Sequence, residues 1–295
     1  MSTLGLKIPT VGPQTLDPGL AVMASEAEAG GASSVWVSDH IVMTEQTESH
    51  YPYATGGKVT WQADAPFADS LTACTWMAAC STRIAVGPAV LILPLRDPIQ
   101  LAKTAATIDW LSGGRLLLGV GTGWYAEEYA ALGRDFATRG GCTNEAIEVL
   151  KACWTGRPEP FEGEFFRIEP GTLCFPRPVA PGGVPIMVGG MGRLARERAA
   201  RLGDGWLALS RWDILDIDDL ARKLEHVREL REPRLPELRT VLRVSGELGA
   251  GDVAGRIPAL RDLARLGFDE VSIDPPWHNL EEARSVIAQC REAVA

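Results

Sequence analysis

The chain contains no apolar run long enough to span a bilayer, and no basic segment followed by an apolar one at its start. The expectation is therefore a soluble, unexported, cytoplasmic protein. Its six cysteines, Cys74, Cys80, Cys142, Cys153, Cys174 and Cys290, form no C-x-x-C pair and no Cys/His cluster, which excludes a dithiol redox motif and predicts buried, reduced thiols. Only four histidines occur, and none stands at ligand spacing from Asp, Glu or Cys, so no metal site is expected. A block of Lys and Arg is missing too, and the net charge is −9, which points away from nucleic acid and towards a small-molecule substrate. Neither a G-x-S-x-G nucleophile elbow nor a G-x-x-x-x-G-K-[ST] phosphate loop occurs, and there is no internal repeat.

What is present is an alternation of short apolar strands with longer helical segments. Strands are predicted at Leu4–Pro9, Val35–Val37, Arg83–Leu93, Arg115–Val120, Val184–Val188, Gly205–Leu209, Thr240–Gly246 and Glu270–Asp274. Helices are predicted between them. Asp17-Pro18 reads as an N-cap with a first-turn proline, for a helix ending at Gly30-Gly31, and Asp97-Pro98 reads the same way for a helix ending at Gly113. Eight strand–helix units, with 46% apolar residues spread evenly over 295, predict one α/β domain, a closed (β/α)8 TIM barrel. Two stretches interrupt the alternation, namely a lid-like loop over 41–66 and a Pro- and Gly-rich excursion over 155–183 with a hairpin near Phe161-Glu162-Gly163.

The segment LSGGRLLLGVGTGW, Leu111–Trp124, places glycine at every second position of a strand end, where backbone can approach a ligand closely. It does not follow the G-x-G-x-x-G dinucleotide pattern. In a (β/α)8 barrel the active site lies at the C-terminal strand ends, which selects Asp39-His40, Gly87–Val90, Gly121–Trp124, Gly189–Gly192 and Asp274. Histidine suits proton transfer near neutral pH when a carboxylate orients it. The turn Gly189-Gly190-Met191-Gly192 before a helix offers N–H groups to a phosphate. Tyr51, Tyr53, Trp61 and Trp124 can wall a flat ring, although aromatic residues usually serve a core.

The segments VWVSDH (Val35–His40), YPY (Tyr51–Tyr53), RIAVGPAVLILPLRDPIQLAK (Arg83–Lys103), LSGGRLLLGVGTGW with Glu127-Glu128, Arg139-Gly140, PIMVGG (Pro185–Gly190) and DGW (Asp204–Trp206) together resemble the luciferase-like monooxygenase superfamily, and within it the F420-dependent oxidoreductases. The resemblance implies a luciferase-like barrel with insertions, commonly a homodimer, holding a deazaflavin or flavin at the C-terminal face. It implies a non-prolyl cis peptide at Ala89-Val90 beneath the cofactor ring, Asp39 beside the ring, Glu127 near the cofactor edge, and Gly189, Gly190 and Met191 at its phosphate. His40 matches the residue assigned to proton exchange, and Tyr53 with Trp124 would border the substrate. Trp124 stands where the sugar-phosphate dehydrogenases of this group carry an acid, which speaks against a sugar-phosphate alcohol. The implied activity is hydride transfer between F420 and a small organic substrate. Two alternatives stay open, an FMN-dependent two-component monooxygenase fed by a partner reductase, and a non-catalytic flavin-binding barrel.

Overall fold

Strand and helix boundaries follow from local signals wherever tertiary contacts leave those signals alone. The computed structural model describes residues 2–54, 56–59 and 61–295. In chain order the elements are β1 (Thr3–Lys7), α1 (Leu20–Ala29), β2 (Ser34–Val37), α2 (Ser70–Ala79), β3 (Ala85–Pro88), β4 (Leu91–Ile92), α3 (Pro98–Ser112), β5 (Leu118–Gly121), α4 (Ala126–Ala131) and α5 (Arg139–Trp154). They continue with β6 (Phe161–Glu162), β7 (Arg167–Ile168), β8 (Ile186–Gly189), α6 (Arg193–Leu202), β9 (Gly205–Arg211), α7 (Ile217–Glu229), β10 (Arg239–Glu247), α8 (Ala250–Arg265), β11 (Glu270–Asp274) and α9 (Leu280–Val294).

The main sheet runs β3-β2-β1-β11-β10-β9-β8-β5-β4, with every pairing parallel. Its two ends are halves of a single barrel strand, since β3 and β4 are separated only by Ala89-Val90, whose peptide bond is cis. Counting those halves once gives eight strands, and a parallel bridge from Val86 to Leu116 joins β3 to the β5 side. The result is the expected (β/α)8 barrel. The expected hairpin is β6–β7, inside the 155–183 excursion. Outside Thr55 and Thr60, the stretch 41–66 contains no helix or strand.

Side chains alternate along each strand, so one set faces the helices and the other fills the barrel. Leu4, Leu6 and Ile8 belong to the outer layer against the helices, whereas Trp36, Leu117, Met187, Leu207 and Val241 form a separate apolar cluster. The β1, β10 and β11 side carries a polar wedge instead. Glu270 is fully buried and accepts hydrogen bonds from Ser34 Oγ at 2.6 Å, Trp36 Nε1 at 2.7 Å and Arg239 at 3.1 Å. Several donors on one carboxylate are what make a buried charge tolerable.

Four differences from the sequence-based expectations have local causes. Asp97 caps α3 as expected, accepting from Gln100 N at 2.8 Å, and Gly113 ends that helix with a left-handed φ of 73°. Asp17-Pro18, by contrast, is a cis peptide outside the helix, and α1 begins at Leu20 with Gly19 as N-cap. Helix α5 starts at Arg139, five residues before the expected Asn144, because Gly140 and Gly141 lie within its first turn and do not interrupt it. The continuous strand over Arg83–Leu93 is split in two. Cys74, Cys142, Cys153 and Cys290 are buried as expected, but Cys174 is half-buried and Cys80 is exposed; all six are free. Among the described residues no helix is long and apolar enough to cross a membrane.

Candidate functional site

A cavity of about 690 Å³ opens over the C-terminal ends of the strands and brings together residues from four of the five selected segments; Asp274 does not line it. Its floor is the Ala89-Val90 step. Two glycines keep that floor flat: a Cβ on Gly121 would lie 2.5 Å from Val90 Cγ2, and one on Gly189 would collide with Val90 Cγ1. Tyr51, Tyr53, Trp61 and Phe67 from the 41–67 stretch close the other side, with Trp124 between them and β5. Tyr51 is the centre of this aromatic wall, with ring centroids 4.9 Å from Trp124, 5.2 Å from Trp61 and 5.4 Å from Tyr53.

His40 follows β2 and lies under four aromatic rings, with centroids at 5.5 Å for Phe67, 5.7 Å for Trp124 and 6.1 Å for Trp61 and Tyr125. Its Nδ1 is 2.8 Å from Oε2 of Glu128, a carboxylate with no exposed side-chain surface. The other oxygen of Glu128 accepts from Ile41 N at 2.5 Å and Val42 N at 3.3 Å. An ionised carboxylate only accepts, so it selects the tautomer in which Nδ1–H donates and Nε2 keeps its lone pair. Glu128 was not singled out from sequence, yet a signal existed. On a helical repeat Glu128 shares a face with the buried Tyr125 and the half-buried Leu132, whereas Glu127 does not.

Glu127 was expected at the cofactor edge, and the structure places it behind the cavity wall. Glu127 is not among the cavity-lining residues. Its carboxylate accepts from Glu48 N at 2.5 Å, Ser49 N at 2.9 Å and Ser49 Oγ at 2.5 Å, and so fastens the lid loop to α4. Burial alone would raise its pKa, but the Ser49 hydroxyl and the backbone N–H groups outweigh that and lower it.

Asp39 does line the cavity, but both oxygens are engaged within the protein. Oδ1 accepts from Ser70 Oγ at 2.7 Å and Arg96 Nη2 at 2.8 Å, while Oδ2 accepts from Ile92 N at 3.0 Å and Arg96 Nη1 at 2.9 Å. The Ile92 bond ties the end of β2 to β4, the bidentate Arg96 pair ties it to the segment that follows, and together they lock the floor from the side. Beside a ring, Asp39 supplies position rather than a free carboxylate.

The turn after β8 is shaped for close approach. Gly190 has a φ of 126°, and a Cβ there would stand 2.8 Å from Ala195 Cβ. Trp206 Nε1 donates to Gly190 O at 2.9 Å, and Leu209 N contacts Met191 Sδ at 3.1 Å. Gly190 N itself donates to Leu207 O at 3.2 Å. The open donors are therefore those of the first turn of α6, which no side chain caps. Gly189, Gly190 and Met191 all line the cavity, as do Tyr53 and Trp124.

On the opposite wall three cations reach the cavity, namely Arg211, Lys223 and Arg243. Arg211 pairs with Asp213, and Lys223 with Asp219. Arg243 meets Asp274 at 3.3 Å. Burial raises the pKa of the hydroxyls of Tyr51 and Tyr53, and the Arg243 charge opposes the rise in both. Arg243 also escaped sequence reasoning, because a lone Arg in a strand reads as a surface residue until alternation puts it on the same side as Val241.

A flat, glycine-flanked floor with an open helix N-terminus beside it fits a planar ring system carrying one phosphate. An uncharacterised protein of Mycobacterium tuberculosis is 38% identical over 210 residues, 71% of this chain and 70% of that one. An F420-dependent glucose-6-phosphate dehydrogenase of Kineococcus radiotolerans is 32% identical over 269 residues, 90% of this chain and 67% of that one. The solved structure of an F420-dependent secondary alcohol dehydrogenase in complex with an F420-acetone adduct superimposes with a TM-score of 0.75 at 18% identity, covering 100% of both chains, which establishes likeness of fold. With residues 14–246 matching its description, this chain belongs to the luciferase-like monooxygenase family.

Proposed function

We propose that this chain is an F420-dependent oxidoreductase that exchanges a hydride with a small organic substrate lying in the cavity. The observation that carries this is the His40–Glu128 pair, buried beside a flat floor in an aromatic enclosure. An F420-dependent relative of 32% identity supports the choice of coenzyme. Bound F420 supplies a two-electron hydride donor or acceptor. Ala89 and Val90 would support its ring, Gly121 and Gly189 would give it room, and the Gly190–Met191 turn with the first turn of α6 would hold its phosphate.

The remaining work falls to the chain. His40 exchanges a proton at Nε2, while Glu128 holds Nδ1–H and stabilises the imidazolium when both nitrogens are protonated. Tyr51, Tyr53, Trp61 and Trp124 exclude water and pack on an apolar substrate. Within the same proposal the protein works in the cytoplasm as a homodimer, and a cofactor reductase regenerates its coenzyme.

Binding of F420 and of FMN to the purified protein, each followed by its own fluorescence, is the test. Tight FMN binding without F420 binding replaces this proposal with a flavin-dependent monooxygenase fed by a reductase. His40→Ala with cofactor affinity retained should lose most turnover of an identified substrate. Unchanged turnover would remove His40 from catalysis.

A further inference from the structure

The cations around the cavity are not equally occupied. Arg96 is spent on Asp39 through two nitrogens, Arg211 on Asp213 and Lys223 on Asp219. Arg243 has a weaker tie. Its contact with Asp274 is 3.3 Å from one terminal nitrogen, and its Nε is buried with no hydrogen-bond partner. A buried lysine lies near it. Lys7 is buried on the adjoining side of the barrel, and its amine is pushed well below the ordinary lysine range by burial first and by the Arg243 charge second, with Asp274 opposing. A half-buried guanidinium with spare donors costs desolvation energy that a planar oxyanion would offset through a forked pair.

The neighbours of Arg243 fit that ligand. Tyr51 and Tyr53 line the same cavity as Arg243, and phenol hydroxyls are protonated at neutral pH and so available as donors. Tyr51 also abuts Trp124 and Trp61, which surround His40, so one side chain links the cationic corner to the proton-exchanging one. His40 follows β2 and Arg243 lies on β10, with β1 and β11 between them. Both side chains line the same cavity, His40 from beyond the end of β2 and Arg243 from within β10.

We propose that Arg243, with the hydroxyls of Tyr51 and Tyr53, is an anchoring site for a carboxylate, and that the substrate is a carboxylic acid with a flat, apolar body. The reducible or oxidisable bond of that acid lies towards His40 and its acid group towards β10. This rests on the proposed hydride transfer only for the orientation of the substrate, since the anchor itself needs no coenzyme.

The test uses the full chain and three probes of one shape, trans-cinnamate, cinnamyl alcohol and cinnamamide. Their binding is read from the tryptophan fluorescence of Trp61 and Trp124, with and without F420. Cinnamate is expected to bind about ten- to a hundredfold tighter than either neutral probe. Arg243→Met should abolish that preference while leaving F420 affinity within about twofold, and Arg243→Lys should keep part of it because the charge remains. The double variant Arg243→Met/Asp274→Asn removes the orphaned carboxylate, and provides the same comparison if the single variant does not fold. Equal binding of cinnamyl alcohol and cinnamate, absence of cinnamate binding at millimolar concentration, or a larger loss of F420 than of cinnamate in Arg243→Met would each overturn the proposal. Carboxylate selectivity that depends on Arg243 in a protein that binds only FMN would sustain the anchor and sink the F420 reading.

Discussion

Replacing Glu128 by Gln changes one oxygen for an amide nitrogen, and the surrounding bonds dictate which one. Ile41 N–H donates to Oε1 at 2.5 Å and Val42 N–H to the same atom at 3.3 Å, so the retained amide oxygen stays with the backbone. The NH2 group then faces His40 Nδ1, where a carboxylate oxygen stood at 2.8 Å. A donor there requires Nδ1 to accept, and the imidazole proton moves to Nε2. A hydrogen bond to a charged partner contributes about 1.5–3 kcal/mol, which at 1.4 kcal/mol per factor of ten is a tautomer preference of about ten- to a hundredfold in the native protein. Nitrogen NMR of the imidazoles reads this directly without a known substrate, and with four histidines in the chain the signals are few enough to assign. The native protein should show His40 protonated at Nδ1, and Glu128→Gln should show it protonated at Nε2. Since Nε2 would then lack a lone pair, turnover should fall by about 10²–10⁴-fold with cofactor affinity unchanged. An Nε2–H tautomer in the native protein, or no change in the variant, would refute the assignment of Glu128 as the residue that positions His40.

Glu28 offers a test of stability against pH. Burial pushes its pKa up, but hydrogen bonds from Arg83 N, the Thr82 hydroxyl and backbone N–H, and Ile84 N prevail and bring it down to about 2. A depressed carboxylate pKa means that its stabilisation is complete above the unfolded value of about 4.3 and is lost as pH falls towards 2. Glu28→Gln should therefore lower the urea midpoint at pH 7 and leave native and variant closer together at pH 3; an undiminished gap at pH 3 would contradict this. The proposed homodimer has its own test. Trp76 on α2 with Trp110 and Leu111 on α3 are more than half exposed, an apolar area of the kind that subunit contacts cover. Trp110→Glu should shift the mass measured by light scattering from dimer to monomer, and a native protein that is already monomeric would end the proposal.

The barrel was legible because its signals are local. Asp97, Pro98 and Gly113 bracket α3 through contacts within one or two turns of chain, and the apolar strands stand between recognisable helices. Asp17-Pro18 carried the same letters and misled, since the pair alone does not distinguish a cap from a turn closed by the backbone bonds of Asp17 N to Pro13 O and Gly19 N to Gln14 O. The site was legible only in part. His40 and the Gly189 turn stand out by residue type and strand-end position, but the partner of His40 is 88 residues away in sequence. Choosing between Glu127 and Glu128 required the phase of a six-residue helix. Arg243 belongs to a strand whose two faces are both covered, where a charged side chain has no surface pattern to announce it.

The two adjacent carboxylates of α4 also bear on how this barrel can be altered. Glu128 grips the loop at Ile41 and Val42, Glu127 grips it at Glu48 and Ser49, and Tyr125 holds Thr44 N at 2.9 Å. The front of the lid and the short segment bearing Trp124 are thus stitched into one removable cassette. A loop grafted from a relative would arrive without its fastenings unless residues 124–128 travelled with it, so substrate range in this scaffold should be exchanged by transplanting both pieces together.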